Sequence, residues 1–168
     1  AIAAEYDQAT VKKMVRCVAK RAYDEAETCA KMALEETGKG NLPSKTAKQA
    51  KSCMWIWYYL KQESSKSVGV VEDLPELAIQ KIAKPAGIAV NLLPITNPTA
   101  TPTGNALYVL FARDAMIVCP HPGAKKASTY ACNMMRDELK KNGYPEDLIQ
   151  VVEEPSMEIS RLLMEQVD

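Results

Sequence analysis

From Gly87 onward the chain alternates short apolar runs with longer helical patterns, and this alternation limits the fold more than anything else in the sequence. The runs are "GIAVNLL", "AMIVC" and "IQVV". Between and after them lie "TPTGNALYVLFA", "AKKASTYACNMMRDELKKN" and "SMEISRLLME", whose apolar residues recur at helical spacing. Apolar runs with almost no polar alternation are what parallel strands covered on both faces require. Pro102 stands near a helix start, where its missing N–H costs nothing, and Asn142-Gly143 halts the next helix. Three such strand–helix units predict a doubly wound parallel sheet of Rossmann-like kind over residues 87–168. No strand follows the last helix, so the sheet is expected to be incomplete, as in a truncated piece of a larger α/β protein.

The residues before Gly87 follow other rules. Residues 1–63 predict helices. Val11, Met14, Val15, Val18 and Ala22 share one face behind a cap at Asp7, and Ala26, Cys29, Ala30 and Ala33 continue that pattern to Gly38. A third helix is expected from a cap at Ser44, with Ala47, Ala50, Met54, Trp57 and Lys61 on one face and the "WIWYY" cluster wedged between two layers. Residues 64–86 predict two short strands around an acidic turn at "EDLP". The fold class is thus α/β: N-terminal helices and a short β-hairpin, then the incomplete Rossmann-like sheet.

Composition excludes several functions. Lys+Arg and Asp+Glu both number 21, so the net charge is zero and there is no basic excess for nucleic acid. No apolar run approaches the ~18 residues that cross a bilayer, and no signal peptide is visible. The chain opens with Ala1, so further residues are expected upstream. Cys17, Cys29, Cys53, Cys119 and Cys132 form no CxxC pair, and an odd count argues against a disulfide framework or a structural metal. They read as buried hydrophobes of a protein in a reducing, cytoplasmic compartment.

In an open parallel sheet, ligands bind beyond the carboxyl ends of the strands. Two such ends stand out. In "PITNPTATPT", Pro94 and Pro98 stiffen the chain on both sides of Asn97, whose NH₂ can donate to a developing oxyanion without carrying charge. The alternative for Asn97 is a turn residue bonding its own backbone. In "CPHPGAKKAS", Pro120 and Pro122 stiffen the exit and Gly123 permits close approach of a ligand. The helix that follows offers free N–H groups beside His121, Lys125 and Lys126, which together suit a ribose or a phosphate. A capped loop with two solvated lysines explains the same residues. A G-x-G-x-x-G fingerprint is absent.

"PITNPT", followed about twenty residues later by "PHPGAKK", resembles the coenzyme-A-acylating branch of the aldehyde dehydrogenase superfamily. "AKMALEETGKG", "KIAKPAGIAV" and "NGYPEDLIQVVEEPS" extend the resemblance, in order, over nearly the whole chain. The wording "PITNPTATP" with "MRDELKKNGYPEDLIQ" is similar to the succinate-semialdehyde and sulfoacetaldehyde group, whose substrates are short aldehydes with an anionic tail. The resemblance implies an N-terminal part of such an enzyme, with NAD or NADP as cofactor and CoA as co-substrate. It also implies a homo-oligomer acting on a small aldehyde, with no nucleic acid or membrane partner. Asn97 would help hold the thiohemiacetal oxyanion, and Pro94, Ile95 and Thr96 would line the nicotinamide channel. His121, Pro122 and Gly123 would meet the ribose, with His121 where relatives place a lysine. Ala124 stands where relatives often carry an acid, and with Lys125 and Lys126 beside it both NAD and NADP stay open. None of the five cysteines sits in the context of the family's nucleophile, so the chain alone is expected to be inactive. A non-catalytic nucleotide-binding module, and a helical interaction protein with an α/β scaffold, are the competing readings.

Overall fold

The computed structural model describes residues 2–167; Ala1 and Asp168, the outermost residues of the first and last expected segments, lie outside it. Helix α1 (Gln8–Asp24) starts where the Asp7 carboxylate accepts the Thr10 N–H at 2.7 Å. Its Val11, Met14, Val15, Val18 and Ala22 are buried, as their spacing requires. The pattern does not continue as one helix. It breaks at Glu25 (φ −91°, ψ 12°) and resumes as α2 (Ala26–Thr37). A straight helix over both would run roughly 45 Å, at 1.5 Å per residue. The break instead turns α2 back onto its neighbours, helix α3 (Leu42–Leu60) and helix α5 (Lys125–Lys141). Gly38 closes α2 at φ 63°, a conformation in which a side chain is strained.

The cap of α3 is Asn41, not Ser44. The Asn41 side-chain oxygen accepts the Ser44 N–H at 3.0 Å, and Pro43 falls in the first turn, which tolerates it. The buried stripe is Gln49, Cys53 and Leu60 with half-buried Ile56 between them, so the expected face is rotated by about one residue, or ~100°. That rotation carries the aromatic cluster outward. Trp55, Tyr58 and Tyr59 are 52%, 48% and 62% exposed and meet edge to face instead of wedging between layers.

Strands β1 (Gly69–Leu74) and β2 (Ile79–Ala83) form the antiparallel hairpin, turned by Pro75–Leu77. Beyond it, β3 (Ile88–Leu92), β4 (Ala115–Cys119) and β5 (Ile149–Val151) make a parallel sheet in that order. Helix α4 (Ala100–Phe111) joins the first pair, α5 joins the second, and α6 (Met157–Gln166) follows and lies against β3. Burial on both faces holds for the central strand, whose Met116, Val118 and Cys119 are buried. It does not hold for β3, an edge strand that leaves Ile88 and Leu92 exposed. One core joins the helices α1, α4 and α5 to the sheet: Val15 and Val18 of α1, Leu107 of α4, Met116 of β4, Met135 of α5 and Ile149 of β5 belong to the same cluster.

Four thiols share in that burial. Burial pushes Cys29, Cys53 and Cys132 up from the usual 9.0 to about 12. Burial, with Glu138 nearby, raises Cys17 to about 11. The folded state therefore holds thiol protons that the unfolded chain releases above pH 9, so the stability these groups contribute is present below that pH and lost as pH rises toward 12. Urea midpoints are expected to fall between pH 8 and pH 10, and to fall less when Cys29, Cys53 and Cys132 are replaced by Ala. An equal fall in both proteins would mean that the thiols reach solvent.

Candidate functional site

The chain leaves β3 with Leu93 still bonded to the Cys119 carbonyl at 3.0 Å, then enters the Pro94–Pro98 loop. Pro98 and Thr99 are buried, so the loop is anchored at its far end while Pro94 faces out. From β4 the chain passes through buried Pro120 to exposed His121, whose Nδ1 accepts the Gly123 N–H at 3.0 Å. That acceptor role assigns the neutral ring's proton to Nε2. The two tips touch. A Cβ added at Gly123 would stand 3.1 Å from Ile95 Cδ1, closer than side chains normally pack, and 3.4 Å from His121 Nδ1, at ordinary contact. Ile95, His121 and Gly123 are thus brought together at the carboxyl ends of adjacent strands.

Thr96 and Asn97 face the other way, toward the start of α3. Lys45 Nζ donates to the Thr96 carbonyl at 3.2 Å, and Lys48 Nζ donates to Asn97 Oδ1 at 2.9 Å. An ammonium can only donate, so this contact decides which end of the amide is oxygen. Asn97 Nδ2 is left with one long contact, 3.4 Å to Thr96 Oγ1, and keeps its capacity to donate to a ligand. Thr96, Asn97, Ser44, Lys39, Lys45 and Lys48 line a cleft of about 230 Å³.

The helix end behind His121 differs from its expected state. The free N–H groups of Lys126 and Ala127 donate to the two carboxylate oxygens of Glu36 at 2.9 and 2.7 Å. Lys125 Nζ grips both oxygens of Glu154 at 2.6 and 2.8 Å. A carboxylate of the chain itself therefore meets the positive end of α5, and Lys125 is neutralised in place. A phosphate there would have to displace Glu36 from the N–H groups, and Glu154, an exposed carboxylate, from Lys125. Glu36→Gln is expected to cost about 1 kcal/mol of stability, as lost helix caps do. A shift below a few tenths in a urea melt would show the cap to be incidental.

Sequence reading missed Lys45, Lys48, Glu36 and Glu154 because each meets its partner across 29 to 91 positions of chain. One signal for the lysines was present. Between Glu36 and Glu63 there is no acidic residue, while Lys39, Lys45, Lys48, Lys51 and Lys61 all fall there.

No protein-family model matches the chain. It is 43% identical over 163 residues to a succinate-semialdehyde dehydrogenase (acetylating) of Clostridium kluyveri, covering 97% of this chain and 36% of that protein. It is 42% identical over 170 residues to a sulfoacetaldehyde dehydrogenase (acylating) of Bilophila wadsworthia, covering 100% of this chain and 36% of the relative. The crystal structure of an acetylating aldehyde dehydrogenase from Geobacillus thermoglucosidasius superposes with a TM-score of 0.93 at 34% identity, covering 98% of this chain and 36% of that one. The homologues of this chain are acylating aldehyde dehydrogenases, and the chain spans about a third of their length.

Proposed function

We propose that this chain is part of a cytoplasmic, homo-oligomeric, NAD(P)-dependent CoA-acylating aldehyde dehydrogenase. Its substrate in this reading is a short aldehyde with an anionic far end, of the succinate-semialdehyde or sulfoacetaldehyde kind. An engineered glycolyl-CoA reductase of similar fold holds NADP+, and a Rhodopseudomonas palustris propionaldehyde dehydrogenase holds propionyl-CoA, which supports both co-substrates here. The observation that carries the reading is the orientation of Asn97: its oxygen is taken by Lys48, and its NH₂ remains a donor in the cleft that it lines with the start of α3. A preoriented neutral donor stabilises an oxyanion without the cost of reorganising in the transition state.

The residues at the two tips suit a dinucleotide in part. In this reading Pro94 and Ile95 line the nicotinamide end, with Thr96 turned to the α3 cleft behind them, and Nε2 of His121 can donate to a ribose hydroxyl. When bound, the nucleotide supplies the hydride acceptor. The position of Lys125, paired with Glu154, favours no 2′-phosphate, so it gives NADP no advantage over NAD. Asn97 holds the oxygen of the thiohemiacetal through its Nδ2 donor. The attacking thiolate is not among four of the thiols here: Cys17, Cys29, Cys53 and Cys132 are held protonated by burial, and a protonated thiol is a poor nucleophile. Cys119 is buried as well, against Ser160 at 3.4 Å. In this reading the nucleophile lies outside the present sequence, and the chain by itself is inactive.

The test is an assay of the full-length enzyme with succinate semialdehyde or sulfoacetaldehyde, CoA, and NAD or NADP. Nucleotide reduction matched by thioester formation is the expected result. Reduction that ignores CoA would remove the acylating assignment, and no reduction with any of these substrates would remove the enzyme.

A further inference from the structure

We propose that Lys45 and Lys48, with Lys39 at the rim, form the subsite that holds the anionic group at the far end of the aldehyde. This rests on the function proposed above and names the residues that would set its specificity. The first ground is position. Lys48 touches the Asn97 amide itself and Lys45 touches the carbonyl of the preceding residue. Asn97 lines the same cleft as Lys39, Lys45 and Lys48, so an aldehyde oxygen on Asn97 Nδ2 leaves the far end of a chain a few carbons long within that cleft's span.

The second ground is unspent charge. Among the described residues, Lys39, Lys45 and Lys48 have no carboxylate partner within ion-pair distance; the eight salt bridges lie elsewhere. Helix α3 carries no acid of its own. Burial, and then the neighbouring Lys48, make the Lys45 ammonium less favourable than it is in water. An anion between the two would reverse that penalty. Each ammonium gives one hydrogen bond to a neutral oxygen and keeps two N–H groups. This is a site with donors and charge to spare.

The third ground is contrast. At the start of α5, Lys125 is already paired with Glu154 and the backbone N–H groups of Lys126 and Ala127 with Glu36, which leaves the Lys126 ammonium alone there, among the described residues, against three lysines in the α3 cleft. The larger unpaired charge is therefore on the α3 side. The cleft, of about 230 Å³, suits a small group more than a nucleotide.

The experiment compares succinate semialdehyde with butanal, a neutral aldehyde of equal carbon count, in the full-length enzyme. The readout is the ratio of their kcat/KM values for thioester formation. Wild type is expected to favour the anionic substrate strongly. Lys45→Gln is expected to lower the ratio tenfold or more, Lys45→Glu to lower it further, and Lys45→Arg to retain most of it. A wild-type ratio near one, or a ratio unmoved by Lys45→Gln, overturns the subsite. So does an unmoved ratio with a raised KM for CoA or NADP, which would assign the lysines to a phosphate. Failure to turn over either aldehyde is a different outcome: it refutes the enzyme reading, and the subsite with it.

Discussion

In the full-length enzyme, Asn97→Ala is expected to lower kcat on the order of a hundredfold or more while nucleotide affinity changes little. The reason lies in when the amide matters. Before the carbonyl is attacked, its oxygen carries only partial charge and gains little from one more donor. After attack the oxygen is an oxyanion, and a donor already aimed at it needs no reorientation. Aiming is the task of Lys48, which grips Oδ1 at 2.9 Å and holds the NH₂ away from itself. Asn97→Asp is expected to be at least as damaging, since a carboxylate has no N–H and would pair with the same lysine. Pre-steady-state hydride transfer, measured beside nucleotide binding by calorimetry, separates the steps. An unchanged turnover in Asn97→Ala would reduce Asn97 to a turn residue with a lysine neighbour.

Arg113→Leu carries the largest expected loss of stability, on the order of 3 kcal/mol. Arg113 is 7% exposed and holds a positive φ of 68° at the turn after α4. Its guanidinium donates to three carbonyls from three separate segments: Ala4 at 2.7 Å, Ser67 at 3.1 Å and Ala83 at 3.2 Å. These tie the N-terminal turn, the approach to the hairpin and the end of β2 to the sheet. Leucine keeps some of the packing and leaves all three acceptors without their donor. Unsatisfied buried carbonyls cost about 1–3 kcal/mol each, though not additively. Against a typical total of roughly 5–15 kcal/mol, this is a large fraction. Arg113→Lys keeps the charge but offers one ammonium where a fork served three oxygens, so it should fall between the two. The urea midpoint of the protein reports the result. A Leu variant within 0.5 kcal/mol of the parent would mean that water replaces the guanidinium.

Much of the architecture was legible before any coordinates. The strand–helix alternation after Gly87, the cap at Asp7 and the stop at Gly38 all lie where local pattern placed them, and so does the hairpin itself, but its turn falls at Pro75–Leu77, because Glu72, Asp73 and Leu74, expected in an acidic turn, pair within β1. Each depends on neighbours within a few residues, which is the range over which hydrogen bonds and side-chain periodicity act. The failures were of another kind. The rotated face of α3 and the break at Glu25 depend on what α3 and α2 pack against, and periodicity records spacing, not direction. The open face of β3 follows from its place at the sheet edge, which no run of apolar residues announces.

The same division runs through the candidate site. The sequence by itself determined which side chains stand at the two strand ends, because strands, prolines and glycine act on adjacent residues. It could not determine which charges those side chains would meet. Lys125 looked available until Glu154 closed on it, and Asn97 looked isolated until Lys48 arrived from α3, 49 positions away. Charges interact through space, so the electrostatic character of a site is decided only once distant segments are packed together.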